Sequence, residues 1–180
     1  MVPRIETERL ILREWRAGDF DAFAEMMANP DVTRYVTGAP LSRDDSWRSM
    51  AMMIGHWGLR GYGNWAIERK MDGAFIGRAG LWNPAGWLRL ELGWLLGRPY
   101  WGQGYATEAA RAALDRAFLD MPLESVASLI DPANAPSQAV ARRLGETRGP
   151  LQEFSVGPRS FSVEVWSITR EAWRKRPGAA

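Results

Sequence analysis

The chain has 180 residues, of which 46% are hydrophobic and 24% are charged, which is typical of a folded globular protein and excludes global disorder. No stretch approaches the roughly 20 apolar residues of a membrane span, and the absence of cysteine excludes disulfides, thiolate metal sites and a cysteine nucleophile. The net charge of +2 rests on 23 basic residues that are spread along the chain, which favours a solvated surface over a nucleic-acid-binding patch.

The first third of the chain predicts one strand and two helices. Residues 9–14 alternate and predict a strand, and residues 18–28 predict a helix with Asp19 as its N-cap. Residues 42–57 predict a second helix. Its expected apolar face consists of Trp47, Met50, Ala51 and Ile54.

The middle of the chain predicts three consecutive strands separated by turns. They cover residues 64–69, 74–82 and 87–96. The last of them alternates regularly, which places leucines and a tryptophan on one face and Glu91 on the other.

The last part of the chain predicts alternating helices and strands. Residues 107–119 predict a strong helix with an apolar stripe, and residues 125–130 a short strand. Residues 137–144 predict a helix and residues 161–168 a late strand. The whole order indicates an α+β (α/β) fold with a βαβ unit in its second half.

A glycine-rich turn precedes the strong helix. Gly102 and Gly104 lie where a ligand could approach the backbone closely, because glycine has no Cβ. The first amides of a helix lack intrahelical partners and carry a positive dipole, so an anion is the natural occupant. The turn lacks the Gly-Lys-Ser/Thr of a nucleoside-triphosphate loop, and a simple helix-capping turn is the alternative.

The run YWGQGYATEA resembles the coenzyme A pyrophosphate loop of GNAT acetyltransferases, and it is most similar to the Rim-type branch that acetylates ribosomal-protein N-termini. The segments TERLILREWRAGDFDAF, DGAFIGRAGLW, LELGWLL and NAPSQAVARRLG follow in the order of that family. The resemblance implies a central, mixed and mostly antiparallel sheet of about six to seven strands flanked by helices, with splayed strands at the cofactor site. It also implies acetyl-CoA as co-substrate and no metal.

The resemblance assigns roles by position. The pyrophosphate loop falls on Trp101, Gly102, Gln103, Gly104, Tyr105, Ala106 and Thr107. The strand that pairs with the pantetheine arm falls on Trp94, Leu95 and Leu96. Asn134 matches the asparagine near the thiol, and Ser137 matches the serine that protonates the leaving thiolate. Ala141 replaces the tyrosine acid of many relatives, and Glu146 replaces a phenylalanine.

Three candidate site residues each have a structural alternative. Glu91 is the expected general base, with a cross-strand ion pair to Arg89 or Arg78 as the alternative. Ser137 is either the acid or a plain N-cap. His56, the single histidine, is expected to be structural.

We therefore expect residues 1–180 to form one cytoplasmic N-acetyltransferase domain that transfers acetyl from acetyl-CoA to a primary amine. The acceptor is a protein N-terminal amine or a small molecule such as a polyamine, an amino acid or an antibiotic. A catalytically silent acyl-CoA-binding module is a further alternative. The expected partners are the amine acceptor and, as one option, a second copy of the chain; no membrane and no nucleic acid are expected.

Overall fold

The computed structural model describes residues 1–176, in which eight strands form a single sheet. The strands are β1 (Ile5–Glu6), β2 (Leu10–Arg13), β3 (Asn64–Arg69), β4 (Phe75–Trp82), β5 (Glu91–Leu96), β6 (Ser125–Ile130), β7 (Thr147–Val156) and β8 (Arg159–Thr169). The count exceeds the expected six to seven because the sequence pattern indicates neither β7 nor β1, which has only two residues, too few to show alternation.

The sheet has the order β1-β2-β3-β4-β5-β6-β8-β7. Every neighbouring pair is antiparallel except β5 and β6, which run parallel and pair only at Glu91 and Ala127. Beyond that pair the two strands diverge and leave one edge of β5 free. The predicted α+β class and the splayed strands are both confirmed.

Within residues 1–176, six α-helices flank the sheet. They are α1 (Phe20–Met27), α2 (Pro30–Thr33), α3 (Arg43–Arg60), α4 (Tyr105–Asp120), α5 (Ala135–Leu144) and α6 (Arg170–Arg174). Short 3-10 turns occupy Ala17–Asp19 and Arg98–Tyr100. Among these helices of residues 1–176, none is long and apolar enough to cross a bilayer.

The centre of the core lies between α4 and strands β2, β4 and β5. The predicted apolar stripe of α4 is confirmed, since all of its residues are buried: Ala110, Ala113, Leu114, Ala117 and Phe118. This packing fixes the start of α4 against the free edge of β5, because the helix cannot shift along its axis without opening the core.

The predicted apolar face of α3 is wrong except at Met50. The buried residues are Ser46, Met50, Met53 and His56. Trp47 and Ile54 are 55% and 47% exposed. The helix carries apolar residues on several sides, so periodicity alone could not choose the face that packs on α1 and the sheet.

Two predicted polar contacts are also replaced. Asp19 does not cap α1 with its side chain; it forms a buried ion pair of 2.7 Å with Arg13 and accepts from the Arg16 amide. The i,i+4 spacing of Arg111 and Asp115 predicts an ion pair between them, but Asp115 instead accepts hydrogen bonds from Trp173 and Arg176 of the C-terminal segment. In both cases the partner that forms the contact lies outside the helix in which local spacing predicted it.

Candidate active site

Two clefts meet where β5 and β6 diverge. The first, the loop cleft, has a volume of about 1450 Å³ and lies along the start of α4 and the free edge of β5. The second, the aromatic cleft, has about 820 Å³ and lies between α3, β5 and the β7–β8 hairpin. Their shared lining consists of Tyr35, Val36, Trp94, Asn134 and Ser137. A molecule in one cleft can therefore touch a molecule in the other.

The glycine turn presents a group of backbone amides at the start of α4. Gly102 and Gly104 have φ angles of 74° and 82°, in the left-handed region that glycine tolerates. Within residues 1–176, the backbone amides of residues 102–107 donate to no acceptor. Six free amides and the positive end of a helix dipole suit a diphosphate.

Arg9 holds this turn in place, a role that no local sequence pattern indicates. Its Nη1 donates to the carbonyl oxygen of Gln103 at 2.9 Å, and its Nε donates to Glu108 at 2.7 Å. The Thr7 hydroxyl donates to the same carboxylate at 2.6 Å. The turn is thus tied to the start of β2, a contact that spans more than ninety positions in sequence.

Strand β5 presents its free edge to the loop cleft. Trp94, Leu95 and Leu96 all line the cleft. The carbonyl oxygen of Leu96 accepts from Trp101 Nε1 at 2.8 Å, which binds the turn to the strand end. The other backbone groups along this edge are available to an extended ligand, because β6 has already diverged.

Asn134 and Ser137 stand where the clefts join. Asn134 caps α5, and its Oδ1 accepts from the Ser137 amide at 3.2 Å. The alternative in which Ser137 is the N-cap is therefore wrong. Within the described chain the Ser137 hydroxyl has no hydrogen-bond partner, and it lines both clefts. Ala141, at the position of the expected tyrosine acid, is fully buried.

Glu91 lines the aromatic cleft beside this junction. Residues 87–90 are irregular rather than the predicted start of β5, and the Trp87 indole donates to Glu91 Oε2 at 2.7 Å. Burial raises the pKa of Glu91 to about 7, although the Trp87 hydrogen bond and the charge of Arg78 act in the opposite direction. A carboxyl with this pKa accepts a proton readily near neutrality.

The alternative role of Glu91 in an ion pair is wrong. Within residues 1–176 it forms no salt bridge. Arg89 donates to Gln152 at 3.2 Å, and Arg78 donates to Asn64 at 2.9 Å. Burial also lowers the pKa of Arg78, to about 10.

Glu146 is buried behind Glu91. Ser128 Oγ lies 2.9 Å from both the Leu92 carbonyl oxygen and Glu146 Oε1. A hydroxyl has one hydrogen and a carbonyl only accepts, so both contacts are satisfied when Ser128 donates to Leu92 and a protonated Glu146 donates to Ser128. Burial, with a smaller contribution from Glu91, raises the pKa of Glu146 to about 8.

The remaining candidates divide into structural and lining residues. His56 is structural, as predicted: its Nε2 accepts from the Asn83 amide at 3.2 Å, so Nδ1–H donates to Tyr62 at 2.8 Å. Four tryptophans of the sequence are candidate walls for an acceptor site, and of these Trp82 and Trp87 line the aromatic cleft. The other two, Trp47 and Trp57, do not. In the described part of the chain, no cluster of His, Asp and Glu is arranged to hold a metal.

Comparisons with known proteins agree on one family. Residues 9–147 match the model described as "Acetyltransferase (GNAT) domain". The N-acetyltransferase p20 of Bacillus licheniformis is 31% identical over 173 residues, which cover 93% of this chain and 96% of that protein. An acetyltransferase structure from Agrobacterium tumefaciens is 34% identical, covers 94% of this chain and 96% of its own, and superimposes with a TM-score of 0.83.

A more distant structure carries the same fold. Mycobacterium smegmatis RimJ, solved in complex with a CoA disulfide, is 21% identical and superimposes with a TM-score of 0.73. The similarity covers 94% of this chain and 87% of that one.

Proposed function

The chain belongs to the GNAT acetyltransferase family, and on that premise we propose that it transfers the acetyl group of acetyl-CoA directly to a primary amine in a ternary complex. The observation that carries the proposal is the meeting of the two clefts at Trp94, Asn134 and Ser137. One cleft offers free amides for a diphosphate, and the other holds a carboxyl whose pKa is about 7. Direct transfer needs both reactants side by side and no covalent enzyme intermediate.

Acetyl-CoA would lie in the loop cleft. The amides of residues 102–107, which comprise Gly102, Gln103, Gly104, Tyr105, Ala106 and Thr107, would hold the pyrophosphate. The free edge at Trp94, Leu95 and Leu96 would pair with the pantetheine amides, and Asn134 would lie near the sulfur. Six arginines line the same cleft and favour the phosphates: Arg4, Arg34, Arg98, Arg111, Arg116 and Arg143.

Glu91 would act as the general base. It accepts the proton that the amine nitrogen loses, directly or through water, as that nitrogen attacks the acetyl carbonyl. When bound, acetyl-CoA supplies an activated carbonyl, whose C–S bond breaks as the N–C bond forms. The protein's part is to bring the nitrogen to that carbon and to hold the released proton on Glu91.

Ser137 would return a proton to the leaving sulfur. Its hydroxyl lines both clefts and is free of other hydrogen bonds in the described chain. Because a thiol has a pKa of about 8.5, the thiolate is a moderate leaving group and the help from Ser137 is modest. Solvent then restores the Ser137 proton.

The acceptor in this proposal is a peptide N-terminal amine or a small molecule. A polyamine is disfavoured, because the aromatic cleft is lined by three arginines as well as three acidic residues. One of those acids, Asp45, is already paired with Arg48 at 2.8 Å. We further propose that residues 1–180 act as one domain, since a single sheet runs from β1 to β8, and that the enzyme works in the cytoplasm, where it would draw on acetyl-CoA.

Calorimetry with acetyl-CoA tests the loop cleft. Gly104→Ala places a Cβ 3.3 Å from Arg9 and at a positive φ, which distorts the amide array. Gly73→Ala is the matched control, because it has a φ of 70° and open space around it and lies outside both clefts. We expect about 10-fold weaker binding for the first variant only. Equal affinities in both would remove the loop assignment.

Thiol release with a panel of amines tests catalysis. We expect turnover with at least one primary amine. Binding of acetyl-CoA without turnover of any amine would instead support the alternative of a silent acyl-CoA-binding module.

A further inference from the structure

The aromatic cleft has a wall of three rings next to the proposed base. Phe154 and Phe161 stack with ring centroids 4.8 Å apart, and Trp87 meets them edge-on at 5.2 and 5.4 Å. All three are only partly buried, and all three line the cleft. Aromatic faces that the fold leaves in a concave site bind apolar, ring-bearing groups well. Trp87 connects this wall directly to Glu91 through its indole N–H.

A positive and a negative group face the same space in this cleft without touching. A Cβ added to Gly93 would lie 3.8 Å from Glu91 Oε1 and 4.0 Å from Arg78 Nη1. Arg78 has one hydrogen bond, from Nη1 to Asn64, and its buried Nε has no partner within residues 1–176. A guanidinium has five N–H donors, so this one retains capacity for an oxygen acceptor.

We infer that the acceptor is an α-aminoacyl unit with an aromatic side chain, an inference that rests on the proposed function. Its amine faces Glu91, its carbonyl or carboxylate oxygen accepts from Arg78, and its side chain packs on Trp87, Phe154 and Phe161. In an α-aminoacyl unit the amine nitrogen and the carbonyl oxygen are three bonds apart. This short separation fits Glu91 and Arg78, which both lie close to Gly93. A free aromatic amino acid and a peptide with an aromatic first residue share this chemistry.

Five amines test the inference by thiol release: L-phenylalaninamide, 2-phenylethylamine, L-alaninamide, spermidine and L-phenylalanine. We expect kcat/KM for phenylalaninamide to exceed that for phenylethylamine, which lacks the carbonyl, by roughly 10-fold. It should exceed that for alaninamide, which lacks the ring, by a similar factor. A comparison of kcat/KM for L-phenylalanine with that for a tetrapeptide that begins with phenylalanine then distinguishes a free amino acid acceptor from a peptide acceptor.

The outcomes separate the two proposals. If kcat/KM for phenylethylamine or spermidine equals that for phenylalaninamide, the aminoacyl inference is overturned while the proposed acetyltransferase activity stands. If no amine is turned over, the proposed function fails and the inference fails with it.

Two variants test whether Arg78 is responsible for the preference for phenylalaninamide over phenylethylamine. Arg78→Gln should reduce the ratio of kcat/KM for phenylalaninamide over phenylethylamine to near one, with acetyl-CoA affinity retained. Arg89→Gln, an exposed arginine outside the cleft, is the control and should keep the ratio. A ratio that survives Arg78→Gln would refute the role of Arg78.

Gly93→Ala keeps the inference testable if the arginine variant does not fold. Its new Cβ makes ordinary contacts at 3.8 and 4.0 Å, so the fold tolerates it. The methyl group occupies the space between Glu91 and Arg78, and KM for phenylalaninamide should rise roughly 10-fold. An unchanged KM would show that the acceptor does not lie between these two groups.

Discussion

Glu146→Gln tests the protonation of the buried carboxyl that lies behind Glu91, the proposed base. In the folded chain, burial raises the pKa of Glu146 from 4.5 to about 8. A glutamine has the same shape, and its amide can donate to Ser128 as the protonated carboxyl does. The substitution therefore removes the titration and keeps the hydrogen bond.

The expected gain in stability depends on pH. Below pH 4.5 the carboxyl is protonated in both the folded and the unfolded chain, so the variant and the wild type have similar free energies of unfolding. Between pH 4.5 and about 8 the unfolded chain releases this proton while the folded chain keeps it, and the wild type loses stability. The pKa difference corresponds to a ceiling of about 5 kcal/mol. Relaxation of the protein and entry of water lower this ceiling. We therefore expect Glu146→Gln to be more stable than the wild type by ~2–4 kcal/mol at pH 8 and above.

Urea unfolding between pH 4.5 and 9 measures this difference. The free energy of unfolding of Glu146→Gln should exceed that of the wild type by an amount that grows with pH and levels off above pH 8. Glu153→Gln, on the exposed side of β7, is the control and should give a curve parallel to the wild type. Parallel curves for Glu146→Gln as well would show that Glu146 titrates normally and that the proton assignment is wrong.

Three further predictions concern the clefts. Wild-type kcat/KM should rise through about pH 7 as Glu91 loses its proton. Glu91→Gln should abolish this limb, so the loss of rate should grow with pH and reach roughly 100-fold above pH 7; an equal loss at every pH would exclude Glu91 as the base. Because Asn134 caps α5, Asn134→Ala should lower the free energy of unfolding by about 1 kcal/mol. Ser137→Ala should instead leave the melting temperature unchanged and lower kcat. A fall in melting temperature for Ser137→Ala would contradict the assignment of Asn134 as the N-cap. Arg9→Ala should weaken acetyl-CoA binding several-fold, since it frees the Gln103 carbonyl and leaves Glu108 without its cation. Calorimetry measures this affinity, and an unchanged value would show that the glycine turn keeps its conformation without Arg9.

Local patterns determined most of the secondary structure. The alternation in β2 and β5 and the helical stripe of α4 were visible in sequence, because side-chain direction repeats every two residues in a strand and about every 3.6 in a helix. The glycine turn was equally visible, because only glycine tolerates the φ values of residues 102 and 104. These features, with the family resemblance, were enough to predict the fold and the loop.

Tertiary packing decided what local patterns left open. The buried face of α3, the partner of Asp19 and the absence of an ion pair at Glu91 each depend on groups brought near by the fold. The same is true of Arg9 on the glycine turn and of Glu146 beneath Glu91, since both contacts join segments far apart in sequence. The sequence by itself determined which residues could form strands, helices and the anion-binding turn, because those preferences are local. Only the tertiary structure decided which charges are buried, which are neutralised and which remain free to act, because desolvation and pairing arise from neighbours across the chain.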